Sequence, residues 1–441
     1  MSDITNTLPT HTEPAAQPAN AIVAYVDGLK KNPVRRLIVG GMTLLVLLSL
    51  VRVIADANSL TSSGTMGTTL RVTIPLLLAG LAGLWAERVG ILNIGIEGMM
   101  IFGTWFGAYG AWKFGAWIGL LFGIVGGALG ALIHAVATIR FHIDQVISGI
   151  AMNLLALNLM RYLSEIAFVG HQGGGITQSP PQSSKIPTFS VPFLAGGNIF
   201  GWKSPDLLGW LEDHHWFLIG DAAGLLRGLV HGVSWASAIG LLLVPVSAFV
   251  LWRTRFGLRL RSSGEAPAAA ESLGVRIVRI RYAGVLLSGA FAGLAGAYLS
   301  IVSFSYYRQG QTAGRGYIGI ATMIIGNWRP VGVLGGALLF GFFEALQLVG
   351  RDSVHGLMLF TTFVAGLAMI LSIARRKLVP TITAIVVGVL FLIAYITVNK
   401  VPESLVLSLP YLATLIVLAT ASQRLRPPAM AGVPYRPGSA H

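Results

Sequence analysis

The stretch "YAGVLLSGAFAGLAGAYLSIVS", Tyr282 to Ser303, has no charged side chain and does not alternate apolar with polar positions. A half-buried strand would alternate, whereas about 20 residues wound as a helix rise about 30 Å, the thickness of a hydrocarbon layer. The stretch therefore reads as a membrane-spanning helix. Gly289 and Gly293 sit four apart in it, a spacing that lets a second helix approach closely. The same small-xxx-small spacing returns at Gly103/Gly107, Gly119/Gly123, Gly126/Gly130 and Gly332/Gly336. Comparable apolar runs lie near 37–55, 70–86, 90–112, 115–139, 145–169, 232–252, 315–328, 332–350, 355–373, 380–398 and 405–421. They predict an all-α polytopic helical membrane protein with about 10–12 transmembrane helices.

Composition agrees, with 54% hydrophobic residues, 11% charged residues and a mean hydropathy of +0.72, where a globular domain carries about 25% charge. The expected organisation is a disordered cytoplasmic tail (1–36), one transmembrane domain (37–421) and a cytoplasmic tail (422–441). Within the domain lie a long outer loop (170–231) and a cytoplasmic loop (253–281). The first run follows Lys30, Lys31, Arg35 and Arg36 without a small-residue cleavage site, so it reads as an uncleaved anchor.

The net charge of +14 does not point to nucleic acid, because Lys and Arg collect in short loops between apolar runs. With an inner N-terminus, the inner segments hold 20 of the 31 Lys and Arg, which places both termini in the cytoplasm. The run 315–328 is the exception in length: Tyr317 to Gly326 would rise only about 15 Å as a helix. It reads as a short or broken helix buried in protein that still changes sides, since otherwise Arg375, Arg376, Lys377, Arg424 and Arg426 would all lie outside.

Enzyme signatures are missing. "GGNIFGWKS", Gly196 to Ser204, puts Trp202 where a phosphate-binding loop needs Lys, and no HExxH or GxSxG occurs. His214 and His215 are adjacent, not at i,i+4 spacing, so no metal site is expected, and the absence of cysteine excludes disulfide and thiolate chemistry. The loop 253–281 is more informative. Pro267 at a first turn and Gly274 past an end punctuate one short helix of small residues, with Glu265 near its N-terminus and Arg259, Arg261, Arg276 and Arg279 around it. Such an element fits a groove on a partner protein, or it is an ordinary basic loop at the headgroups.

The run "ERVGILNIGIEGMM", Glu87 to Met100, carries polar residues where they are costly. On one continuous helix Asn93, Glu97, Met100 and Thr104 form a single stripe. A carboxylate there needs hydrogen-bond donors, a wet cavity or a proton, so Glu97 reads as glue between helices or as a lining of the translocation path. Arg161 and Glu165, at i,i+4, read as a mutually neutralising pair, and Glu344 with Gln347 makes a polar patch. Tyr317, Asn327 and Trp328 border the short helix, as contacts to a nucleobase or as interfacial anchors.

"AERVGILNIGIEGMM", "GEAPAAAESLGV", "GRGYIGIATMIIGNWRPVG" and "LPYLATLIVL" together resemble the permease subunit of ABC importers of the branched-chain amino acid/monosaccharide class, in its nucleoside (BMP-lipoprotein-associated) branch. The resemblance covers about 70–350 and resumes near the end of the chain. It implies that Gly264, Glu265, Pro267, Ala269, Glu271 and Gly274 belong to the helix that couples to an ATPase. It also implies an ABC ATPase subunit that holds the ATP-Mg, a paralogous permease in a heterodimer, an extracytoplasmic solute-binding protein, and residence in a bacterial inner membrane. The solute would be a nucleoside or similar neutral molecule, with a simple sugar as the alternative. "QVISGIAMNLLALNLMRYL", Gln145 to Leu163, resembles one of the two permease types more than its sibling. The loop 170–231 and two additional spans at 355–398 depart from the compact pattern. An ion-coupled secondary transporter is the rival from another class, and it predicts inverted repeats that the sequence does not display.

Overall fold

The computed structural model describes residues 28, 32–199, 201–349, 351–398, 402, 404–408, 412, 415 and 425–436. In chain order the helices are α1 (Pro33–Ala55), α2 (Ser63–Arg88), α3 (Ile96–Phe114), α4 (Ala116–Ala135) and α5 (Gln145–Ala167). The long loop follows with two short helices, α6 (Leu207–Asp213) and α7 (Ile219–Val230). Then come α8 (Trp235–Arg253), α9 (Arg255–Glu265), α10 (Pro267–Ser272), α11 (Ile277–Tyr298), α12 (Arg315–Ile325), α13 (Pro330–Val349), α14 (Arg351–Ala374) and α15 (Leu378–Thr397). The strands amount to two small antiparallel ladders in the long loop, Thr188–Phe189 with Val233–Ser234 and Asn198–Ile199 with Trp202–Lys203.

Among the described residues nine helices are long and apolar enough to cross a membrane, so the chain is a polytopic helical membrane protein. The 19-residue α3 and the 11-residue α12 are further apolar helices. Of the expected last span, 405–421, only residues 405–408, 412 and 415 are among the described residues. The chain forms two compact units, Met1–Ala57 with His355–Lys400, and Asn58–Val354 with Val401–His441. In the first unit the His355 ring stacks on Tyr395 at 4.4 Å and bonds its carbonyl at 2.9 Å, joining α14 to α15.

The second unit is built around α2, whose most apolar window is 89% buried. The seam of α3, α4 and α11 follows the glycine spacing. A Cβ on Gly103 would lie 2.2 Å from the Gly293 carbonyl oxygen, and one on Gly127 would lie 2.2 Å from that of Gly289. Only backbones without side chains can meet this closely.

Three expectations need correction. The run 90–112 is not one helix: α2 ends at Arg88 and α3 starts at Ile96, with Val89 to Gly95 outside any helix. Asn93 therefore does not share a helical stripe with Glu97 and Thr104. Arg161 and Glu165 are both exposed on α5 and form no ion pair. The long loop, expected as one undivided outer segment, contains α6 and α7 and is held together by Arg227. Its guanidinium reaches Asp206 at 2.7 Å and Glu212 at 3.1 Å, while Glu212 accepts the backbone N–H of Ser63 at 2.8 Å. Burial works against this charge, but bonds to the two carboxylates outweigh it and raise the Arg227 pKa. The loop is thereby fastened to the first turn of α2.

Candidate functional site

Polar side chains in a bundle this greasy must find partners, and they gather in three places. The first is the break between α2 and α3. A non-helical backbone inside the bundle leaves N–H and C=O groups that other elements must satisfy. Gln145 Oε1 accepts from Leu92 N at 2.6 Å, His134 Nε2 lies 3.3 Å from Leu92 O, and Asn153 Nδ2 donates to Ile94 O at 3.2 Å. Asn153 Oδ1 also accepts from Gly98 N at 2.7 Å, and its amide reaches the Tyr317 hydroxyl at 2.8 Å. Asn93 is buried and donates to Ser288 on α11 at 3.0 Å. Thr104 is buried and bonds Ile101 O of its own helix at 2.7 Å.

Glu97 answers the question its position raises. Its Oε1 accepts from Gly314 N at 2.9 Å and its Oε2 from Gly316 N at 2.7 Å. These are free N–H groups at the start of α12, which has no side-chain cap of its own. A carboxylate on a helix N-terminus is favoured by both the unpaired donors and the helix dipole. Glu97 thus caps the start of α12 from a different helix. Eleven residues rise about 16 Å, so α12 covers only about half the hydrocarbon layer. Before it runs irregular chain, Phe304 to Gly314, which pairs with the long loop through bonds such as Gln309 N to Thr177 O at 2.8 Å. Beside this N-terminus Arg315 forms an ion pair with the buried Glu344 of α13, which gives the polar patch a role.

Gly316 is required by this approach, because a Cβ there would come within 2.7 Å of Glu97 Cα, N and Oε2. Gly316→Ala is expected to destabilise the protein by about 1–3 kcal/mol, since the neighbour is backbone that cannot move aside. Thermal unfolding in detergent checks this, with Gly335→Ala as control because a Cβ there meets nothing within 4 Å.

The second place is the end of the bundle where α2, α9 and the α12–α13 turn converge. Asn327 and Trp328 have φ of 51° and 52°, a left-handed conformation that bulky side chains avoid. Glu87 Oε2 accepts from Trp328 Nε1 at 2.6 Å, and Arg88 donates to Trp328 O at 2.7 Å, which together hold the strained turn. Trp328 is buried beneath these two side chains. Arg88 and Arg261 both lie against the Trp252 ring, at 5.4 and 5.6 Å, which makes this the basic face.

The element singled out in the loop 253–281 projects here. α10 starts at Pro267 and ends in a tight reversal: Gly274 N bonds Glu271 O at 2.8 Å, Val275 N bonds Ala270 O at 3.0 Å, and Gly274 has φ 83°. This is a Schellman end, in which glycine supplies the left-handed residue. Pro267 and Ala270 face the bundle, while Ala268, Ala269 and Ser272 are exposed. Leu273 at the tip is 85% exposed. Glu265 stands just before the N-cap residue of this helix. It is the last residue of α9, an amphipathic helix the sequence reading did not separate, and it pairs with Arg88 at 3.7 Å and accepts from Ala429 N at 3.2 Å. Glu271 accepts the hydroxyl of Tyr435, whose pKa is pushed up to about 12 by burial and by that carboxylate, so Tyr435 stays the donor.

The third place is a cavity of about 450 Å³ at the opposite, loop-bearing face. That volume is in the range of small-molecule sites. It is lined by the first turns of α2, by Gln182, Lys185 and His231 of the long loop, and by Ser237, Tyr298 and Ser305. The hydroxyls of Ser237 and Tyr298 are joined at 2.7 Å, Arg71 adds a second cation, and no Asp or Glu lines the cavity. Of the groups lining it, sequence reading had singled out none, nor had it found Asn153, Gln145 or Leu273.

A profile of the family described as branched-chain amino acid transport system / permease component matches residues 65–394. The chain is 36% identical over 290 residues to the guanosine ABC transporter permease protein NupQ of Bacillus subtilis (strain 168), covering 64% of this chain and 81% of that one. It is 35% identical over 283 residues to the nucleoside ABC transporter permease protein NupC of Lactococcus lactis subsp. cremoris (strain MG1363), covering 63% and 79%. It is 34% identical over 288 residues to the putative glucose ABC transporter permease protein TsgC13 of Haloferax volcanii, covering 65% and 78%. No solved structure matches significantly. With a polytopic helical bundle and a family match over most of its length, the chain belongs to the permease components of branched-chain amino acid type transport systems.

Proposed function

We propose that this chain is the permease subunit of an ATP-driven importer that passes a nucleoside, or a similar neutral base-bearing solute, across a bacterial cytoplasmic membrane. The observation that carries this reading is the similarity at 35–36% identity to permeases named for guanosine and nucleosides. The cavity on the loop face is its outer mouth, where hydroxyl and amide groups suit a hydrogen-bonding solute. α10 on the basic face receives an ABC ATPase subunit, a paralogous permease completes the membrane unit, and an extracytoplasmic binding protein delivers solute to the loop face. A simple-sugar importer is the second reading, supported by the similarity to a permease named for glucose.

The test is uptake of labelled guanosine and glucose by cells expressing the chain with its ATPase and binding-protein partners. Guanosine uptake that requires ATP hydrolysis and resists an uncoupler is expected. Glucose uptake alone would favour the second reading, and uptake abolished by collapsing the ion gradient would favour a secondary transporter. Orientation is tested on the same protein, which has no native cysteine. Ser272→Cys and Val433→Cys, both exposed, should label only from the cytoplasm and Ser183→Cys only from outside. Outside labelling of Val433→Cys would reverse the assignment of the basic face.

A further inference from the structure

Residues 425–436 run across the basic face and touch five separate segments. Arg426 N donates to Asn327 Oδ1 at 2.9 Å, at the foot of α12. Ala429 N donates to Glu265 Oε2 at 3.2 Å and Met430 N to Gly264 O at 2.9 Å, at the end of α9. A Cβ on Gly432 would lie 4.0 Å from Leu92 Cβ, in the break before α3. Tyr435 donates its hydroxyl to Glu271 of α10, and the Arg281 guanidinium of α11 sits 5.2 Å from its ring centre. Pro428 is buried in this path. A tail that merely followed the last span into solvent would not find a specific acceptor at each step.

We propose that this tail is a strap that makes the partner-facing helix α10 and the half-helix α12 move as one body. The proposal rests on the reading of α10 as the ATPase-docking element. A six-residue helix cannot hold its own shape, so a push on its tip is dissipated unless something braces it. The strap braces Glu271 and carries displacement to Asn327, below the helix whose other end Glu97 caps. It does not cover the docking surface, because Ala268, Ala269, Ser272 and Leu273 remain exposed with the tail in place. That exposure separates a strap from an autoinhibitory plug. Tyr435 and Asn327 are accordingly positioning residues.

The assay is the assembled complex with its ATPase and binding-protein subunits, read as solute moved per ATP hydrolysed. Truncation after Leu425 is expected to leave ATP hydrolysis and lower that ratio about fivefold or more. An unchanged ratio overturns the strap. If the truncated chain fails to assemble, Tyr435→Phe, which removes only the hydroxyl held by Glu271, decides: a lowered ratio supports the strap and a wild-type ratio overturns it. The second arm is a Leu92→Cys/Gly432→Cys disulfide, at a Cβ separation within the range such bonds accept. The single Gly432→Cys variant controls for the positive φ of 82° there. A strap that stays attached predicts transport in the oxidised protein, whereas loss on oxidation that a reductant restores would show that the tail must leave, and would overturn the proposal. If the wild-type chain assembles with no ATPase, the docking reading fails and the strap with it. If wild type and truncation couple equally, only the strap fails.

Discussion

Glu97→Leu is expected to lower the yield of folded protein by about tenfold or more, because a buried and a partly buried backbone donor lose their acceptor, at about 1–3 kcal/mol for a buried one. Both carboxylate oxygens are in use, one on Gly314 N and one on Gly316 N. Glu97→Gln therefore cannot be silent. Its amide offers one acceptor oxygen and one N–H group, and the N–H group would face a second donor. Gln should fall between Glu and Leu in folded yield and in detergent stability, with α12 the element that loosens first. Hydrogen exchange at Ile318 to Ile325 in the three proteins would show the order directly. A stable, well-folded Gln variant that has lost uptake would instead place Glu97 on the solute path, and a stable and active Leu variant would dismiss both roles.

The fold was legible wherever membrane physics acts on the chain one residue at a time. Apolar length marked the spans, and small-xxx-small spacing marked the seam where Gly103 meets Gly293. Pro267 and Gly274 bounded α10 because proline and glycine carry their backbone geometry with them. What sequence reading missed depends on pairs far apart in the chain. Glu97 reads as a residue of its own helix, yet its partners are 217 and 219 positions away. The break at Val89 to Gly95 carries no proline, and it is stable only because Gln145, His134 and Asn153 supply the missing bonds. Glu265 stands two residues before Pro267, and what the sequence did not mark is that it also ends a separate helix, α9. The signal that could have found the three bridging side chains is the rule that polar groups in a membrane must be partnered. Applied to Gln145 and Asn153 in an otherwise apolar span, it asks for a backbone in need of bonds.

Leu273→Ser should abolish most ATP-driven uptake while leaving the fold untouched. The side chain is 85% exposed at the tip of α10 and contributes nothing to the core, so its loss from the isolated chain has no stability cost to express. A leucine exposed at the tip of a capped turn can serve as an apolar anchor for a partner, and buried apolar anchors at the centre of an interface typically carry about 2 kcal/mol or more. Removing one is expected to weaken ATPase association by about 30-fold, read as subunit co-purification and as dissociation on dilution. Gly274→Trp acts on the same tip by a different route, since the left-handed backbone at φ 83° disfavours any side chain and would re-aim Leu273. The two variants should share normal cysteine labelling of the span ends and an ATPase subunit that no longer stays bound; melting in detergent should stay normal for Leu273→Ser, the variant on which the melting criterion is read, while backbone strain costs Gly274→Trp about 1–3 kcal/mol. Wild-type uptake in either would exclude α10 as the docking helix. A drop in melting temperature matching the loss of uptake would instead make the tip structural, and the exposed leucine would need another explanation.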